Sequence, residues 1–125
     1  FLKTEKNNLF LDAYNANPTS VEASLENFSS LNKNNTCIIL GDMLELGQES
    51  IQEHKKVLKL LEDYSFNKVI LVGEIYNLLR ANYDFMSFKF VQDLIDWLKK
   101  NNITDSNILI KGSRGIQLEK VIEFL

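Results

Sequence analysis

Cys37-Ile38-Ile39-Leu40-Gly41-Asp42-Met43-Leu44-Glu45-Leu46-Gly47 is the stretch on which the reading of this chain turns. Four apolar residues without polar alternation read as a strand buried on both faces, and Gly41 stops it. A loop then runs to Gln48. A helix is expected from Ser50 to Asp63, with Ile51, His54, Val57, Leu58 and Leu61 along one side. Strand, glycine, loop and helix in that order are half of a parallel β-α-β unit.

The same grammar repeats outward in both directions. Val69-Ile70-Leu71-Val72 is stopped by Gly73 and followed by a short helix from Ile75 to Ala81. Ile108-Leu109-Ile110 runs into Lys111-Gly112, and a closing helix carries Leu118, Val121, Ile122 and Leu125. Between them, Phe88-Lys89-Phe90 is a weaker strand, and Val91, Leu94, Ile95 and Leu98 mark a helical stripe. Towards the start, Leu9–Ala13 is a strand. Phe1–Thr4 pairs with it antiparallel across the polar turn Glu5 to Asn8. Asn17 and Pro18 open a helix as cap and first position, and Val21, Leu25 and Phe28 form its buried stripe. The expectation is one α/β domain: a Rossmann-like, mostly parallel sheet with helices on both faces and an antiparallel edge strand.

Composition narrows the function. At 125 residues the chain has the size of a single domain. Its net charge of -3 speaks against a nucleic-acid binder, which would show a basic face. A lone cysteine, Cys37, rules out an internal disulfide and suits a reducing, cytoplasmic setting. No apolar run approaches the roughly 20 residues that span a bilayer. Because the sequence opens on Phe1, it reads as a piece of something longer. Cys37 in its strand, Trp97 beside a helical stripe and His54 on the border of the core are expected to pack rather than react.

In a parallel sheet ligands bind beyond the carboxyl ends of the strands. Three strand-end segments are unusual there. Asp12-Ala13-Tyr14-Asn15-Ala16-Asn17-Pro18 combines a carboxylate able to accept from ribose hydroxyls with a helix start that favours anions. It also reads as an ordinary turn and cap. Asp42 and Glu45 stand between Gly41 and Gly47. Metal binding is conceivable, yet two carboxylates do not make a cage, and Leu44 and Leu46 suit a plugged groove. Lys111-Gly112-Ser113-Arg114-Gly115 puts two cations and a hydroxyl at a helix start, which suits a carboxylate or phosphate and reads otherwise as a solvated turn. Neither G-x-x-x-x-G-K-[ST] nor G-x-G-x-x-G is present, and one His with one Cys cannot build a zinc site. The residues alone lead to an α/β domain that binds something anionic.

These three segments also resemble, in order, motifs of the Mur ligases of the D-alanyl-D-alanine-adding (MurF) type. Asp12 to Ser20 resembles D-x-Y-N-A-N-P-x-S. Gly41 to Gly47 with His54 resembles G-D-M-x-E-L-G…H, and Lys111 to Arg114 with Leu118-Glu119 resembles K-G-S-R…(M/L)-E. The resemblance implies the C-terminal domain of a three-domain enzyme of peptidoglycan synthesis. Its reaction joins D-Ala-D-Ala to UDP-N-acetylmuramoyl-tripeptide through an acyl phosphate made from ATP. It implies that the P-loop and the Mg²⁺ ligands belong to a central domain, and that an N-terminal domain holds the UDP-sugar. By position, Asp12, Tyr14, Asn15 and Asn17 would line the nucleotide side of the closed cleft. Lys111, Ser113 and Arg114 would meet the dipeptide or the peptide end of the nucleotide substrate, and Asp42 and Glu45, on the same substrate side, would order the facing loop or contact the dipeptide amine. No catalytic residue or metal ligand is assigned to this chain, and neither nucleic acid nor membrane is an expected partner. Alternatives are another Mur ligase, a folylpolyglutamate-synthase-like domain, or a non-catalytic α/β anion-binding module.

Overall fold

The computed structural model describes residues 1–12 and 15–125. The strands are β1 (Leu2–Lys3), β2 (Asn8–Leu11), β3 (Thr36–Gly41), β4 (Lys68–Val72), β5 (Met86–Phe88) and β6 (Asn107–Lys111). The helices are α1 (Pro18–Ser30), α2 (Ser50–Tyr64), α3 (Glu74–Leu78) and α4 (Val91–Lys100). Among the described residues one sheet runs in the order β1-β2-β6-β3-β4-β5. Its pairs are parallel except β1 with β2, where Leu2 faces Leu9. The sequence expectation of a parallel sheet with an antiparallel edge holds.

Period-two alternation within the apolar strands builds two cores. Ile38 and Leu40 of β3 point with Leu109 into the layer of α1 and α2, against Leu25, Phe28, Val57 and Leu61. Cys37, Ile39, Ile108 and Ile110 point the other way, against Leu94 and Leu98 of α4 and against Leu118 and Val121. Wholly apolar strands are needed because both faces are covered. Helix α1 starts where the sequence signals it. The Asn17 side chain accepts from the Ser20 amide at 2.9 Å, and Ser20 Oγ accepts from the Asn17 amide at 3.1 Å.

Three expectations about the elements need correction, and one about a side chain follows. The fifth strand is Met86–Phe88 rather than Phe88-Lys89-Phe90, because the Phe90 amide donates to Asp93 Oδ2 at 3.2 Å and so already belongs to the start of α4. The short helix after β4 stops at Leu78, and a 3₁₀ turn covers Arg80–Asn82. The closing helix is a 3₁₀ helix, Leu118–Phe124. Its last carbonyls are taken by the opening turn: Leu125 O accepts from Asn7 Nδ2 at 2.7 Å and Thr4 Oγ1 at 2.8 Å, and Phe124 O accepts from Lys6 Nζ at 3.0 Å. These side chains satisfy the last carbonyls of the helix.

His54 is fully buried rather than at the core border. Its Nε2 accepts from the Met43 amide at 3.0 Å, so its Nδ1 carries the proton and donates to Ser50 O at 2.7 Å. The ring meets Tyr76 edge-on, with centroids 4.7 Å apart. The Tyr76 hydroxyl is buried without a hydrogen-bond partner among the described residues. Burial holds the His54 pKa below its ordinary value, outweighing the bond to Ser50 O and the charges of Asp42 and Glu53, which act the other way. Gly73 has φ +138°, and a Cβ there would overlap the Asp42 carboxylate.

Two outcomes follow for stability. Gly73→Ala should cost roughly 3 kcal/mol or more, since it adds backbone strain to a steric overlap, and a denaturant titration reads this directly. For His54, the unfolded chain takes up a proton near pH 6.5 and the folded chain does so only at lower pH. The folded state should therefore lose stability as pH falls below about 6.5. Melting curves between pH 7.5 and 5 should show this loss, and His54→Gln should lack that component. An identical pH dependence in the variant would contradict the neutral, buried assignment.

Candidate functional site

Parallel strands deliver their carboxyl ends to one edge, so Asp12, the 41–47 loop, Gly73 and the 111–115 turn converge there. The three loops are joined by hydrogen bonds between them. The Ser113 amide donates to Asp42 O at 3.2 Å, and Ser113 Oγ accepts from the Leu44 amide at 2.9 Å. That hydroxyl also reaches Ala16 O at 3.5 Å, at the limit of a hydrogen bond. Ser113 thus ties the turn after β6 to the loops after β2 and β3.

The result is a cleft of about 630 Å³, lined by Asn15, Asn17, Glu45, Ser113 and Arg114, with Leu44 and Leu46 supplying apolar wall. Arg114 and Glu45 are exposed at its rim. Glu45 holds φ +66°, a left-handed conformation that costs a non-glycine residue on the order of 1 kcal/mol. Asn17 enters the cleft as the cap of α1, so its side-chain oxygen is already engaged.

Asp12 and Lys111 form an ion pair beside this cleft. Lys111 Nζ lies 2.9 Å from Asp12 Oδ2; Lys111 is 2% exposed and Asp12 54%. The Ser24 hydroxyl of α1 donates to the same Oδ2. Partial burial would raise the Asp12 pKa, but Ser24 and Lys111 together hold it below the ordinary carboxylate range. Residues expected on opposite sides of a closed cleft are therefore in direct contact. Lys111 is a buried counter-ion in this arrangement rather than a cation standing in solvent.

Asp42 is also turned inward, at 2% exposure. Its Oδ2 accepts from the Ile75 amide at 2.9 Å and its Oδ1 from the Tyr76 amide at 3.1 Å. Burial raises its pKa, and the two amides oppose that rise. Both oxygens are thus committed to the start of α3, which suits the loop-ordering role among the two expected of Asp42. Tyr14 lies outside the described residues. Among the described residues no three His, Cys, Asp or Glu side chains gather as a group that could hold a metal ion. Cys37 is buried away from this edge, and its thiol is pushed up to about 12 by burial.

Ser24 was not singled out by sequence reasoning, although a signal existed. It stands in the stripe of Val21, Leu25 and Phe28, where a polar residue needs a partner inside.

Comparison with known proteins matches this geometry to a family. Residues 1–114 match the model of the Mur ligase, glutamate ligase domain. The UDP-N-acetylmuramoyl-tripeptide–D-alanyl-D-alanine ligase of Rickettsia prowazekii (strain Madrid E) is 35% identical, over 98% of this chain and 28% of its own length. The ligase of the same name from Bacillus subtilis (strain 168) is 31% identical, over 91% of this chain and 27% of its own length. A solved structure of UDP-N-acetylmuramoylalanyl-D-glutamyl-2,6-diaminopimelate–D-alanyl-D-alanyl ligase from Acinetobacter baumannii superposes with a TM-score of 0.76 at 25% identity, covering 98% of this chain and 27% of that one. The chain thus spans about a quarter of the length of the relatives it matches. It belongs to the Mur ligase family, as a glutamate ligase domain.

Proposed function

We propose that this chain is the C-terminal domain of an ATP-dependent ligase that adds D-Ala-D-Ala to UDP-N-acetylmuramoyl-tripeptide in peptidoglycan synthesis. The cleft between the Asn15–Asn17 loop, the 41–47 loop and Arg114 carries the reading, because it places an exposed arginine beside the strand-end ion pair of Asp12 and Lys111 on one edge. The names and extent of the relatives support it. On this reading two further domains supply the phosphate cradle and the metal ligands.

The reaction needs a better leaving group than a carboxylate offers. ATP phosphorylates the terminal carboxylate of the tripeptide, the amine of D-Ala-D-Ala attacks the acyl phosphate, and phosphate leaves. This chain contributes binding and exclusion of water as it closes on the other two domains. Asp12 accepts from the ribose hydroxyls of the nucleotide, and Asn15 with the capped start of α1 borders the same side. Arg114 forks onto a substrate carboxylate, and Glu45 faces the dipeptide amine across the cleft. Ser113 holds the turn that carries Arg114.

Two outcomes test this. The purified 125-residue chain should fold without consuming ATP when given both substrates, and turnover by it would overturn the division of labour. In the full-length enzyme, Arg114→Ala should lower kcat/KM for D-Ala-D-Ala at least tens-fold, on the order of 2 kcal/mol, for a lost charged fork. The melting temperature should fall far less than the activity does, because truncating an exposed side chain creates no core cavity. Arg114→Lys should rescue poorly, since a point charge does not reproduce the fork. Near-normal kinetics for Arg114→Ala would return the turn to a solvated surface, and a collapsed melting temperature would make Arg114 an anchor of the fold.

A further inference from the structure

We propose that Ser24 is a positioning residue, which fixes the Asp12 carboxylate onto Lys111 and so sets the acceptor that the strand end offers to a nucleotide. The inference rests on the reading of Asp12 as the nucleotide-side carboxylate.

Ser24 lies in the buried stripe of α1, among Val21, Leu25 and Phe28. It is 9% exposed, so its hydroxyl is largely withdrawn from water and needs an internal acceptor. That acceptor is Asp12 Oδ2. Lys111 Nζ reaches the same oxygen from β6 at 2.9 Å. Two donors from two different elements on one oxygen remove the rotational freedom of a carboxylate that a single ammonium would leave. Asp12 nevertheless stays 54% exposed, so the fixed group still faces solvent at the edge where ligands are expected. The arrangement also links the two sides of the site. Asp12 directly follows β2, Lys111 ends β6, and Ser113 and Arg114 come after it beyond Gly112. Anything that frees Asp12 also removes the counter-ion of Lys111.

The electrostatics agree with the geometry. Lys111 is the charge set against Asp12, and α1 contributes Ser24 without a charge of its own. Partial burial pulls the Asp12 pKa up, and Ser24 with Lys111 pulls it below the usual range. Removing the hydroxyl should therefore let it rise.

The test uses the full-length enzyme with Ser24→Ala, Ser24→Thr, Ser24→Cys and Asp12→Asn. The readouts are KM for ATP, kcat, the pH profile of kcat/KM for ATP, and a thermal melt. Ser24→Ala should raise KM for ATP about three- to ten-fold, the loss of one hydrogen bond, with kcat little changed. The acid limb of its profile should move to higher pH. Ser24→Thr, which keeps the hydroxyl, should restore both, whereas Ser24→Cys, of similar shape but a weak donor, should not. If Asp12→Asn raises KM for ATP while Ser24→Ala and Ser24→Cys leave KM and the acid limb unmoved, Ser24 does not position Asp12 and the proposal falls. If Asp12→Asn itself leaves KM for ATP unchanged, the nucleotide-side reading fails and the proposal falls with it. A Ser24→Cys variant with a normal melt and normal KM would overturn the proposal even if Ser24→Ala were too unstable to assay.

Discussion

The Asp42 carboxylate sits beneath Gly73 and holds the first amides of α3, while its backbone carbonyl takes the Ser113 amide. A buried carboxylate is costly unless its oxygens are met by donors, and here both are. The position follows from the sheet. Strand β3 ends beside β4 in the register Gly41↔Val72, so the residue after Gly41 arrives next to Gly73. Only a residue without Cβ lets the two strand ends approach this closely. His54 then takes the next amide, that of Met43, from the other side of the loop. The 41–47 loop is thereby held from below and behind, and Leu44 meets Ser113 in front.

The candidate site inherits its shape from that support. Arg114 and Ser113 lie on a turn that is bonded to the loop Asp42 anchors. The Asn15–Asn17 loop is set by the cap of α1 and, through Asp12, by the ion pair with Lys111. Two buried charged residues and a neutral histidine therefore act under the cleft, and the exposed Asn15, Glu45 and Arg114 act within it. Under the proposed function, in which this domain closes over chemistry performed elsewhere, such a division is needed. Contact groups at the surface must present one geometry when the other domains arrive, and groups fixed in advance lose less freedom on binding.

Most of the fold was legible because its strands are buried on both faces. The runs at 37–40, 69–72 and 108–110 have no polar alternation and each meets a glycine or a Lys-Gly stop. Phe88 was harder, since Phe-Lys-Phe alternates like a strand while Phe90 is claimed by the first turn of α4. The final helix carries a helical stripe, yet its hydrogen bonds depend on Thr4, Lys6 and Asn7, far away in sequence. The structure brings the described strand-end residues to one edge, but which of them are buried was not legible. Charge in a strand-end loop suggests exposure, whereas Lys111 is buried. Its burial needs the register Leu11↔Ile110, which brings Asp12 and Lys111 level, and the alternation that turns Lys111 to the α1 face with Leu109. Neither is contained in the local sequence.

The central claim is that the carboxyl edge is built in advance by buried polar groups. Amide hydrogen exchange of the chain, resolved at Met43, Ile75 and Tyr76, tests it most directly. These amides lie in a loop and at the start of a five-residue helix, where exchange would ordinarily be fast. Held by His54 and Asp42, they should exchange as slowly as the amides of β3 and β4. Exchange at the rate of an open loop would contradict the account.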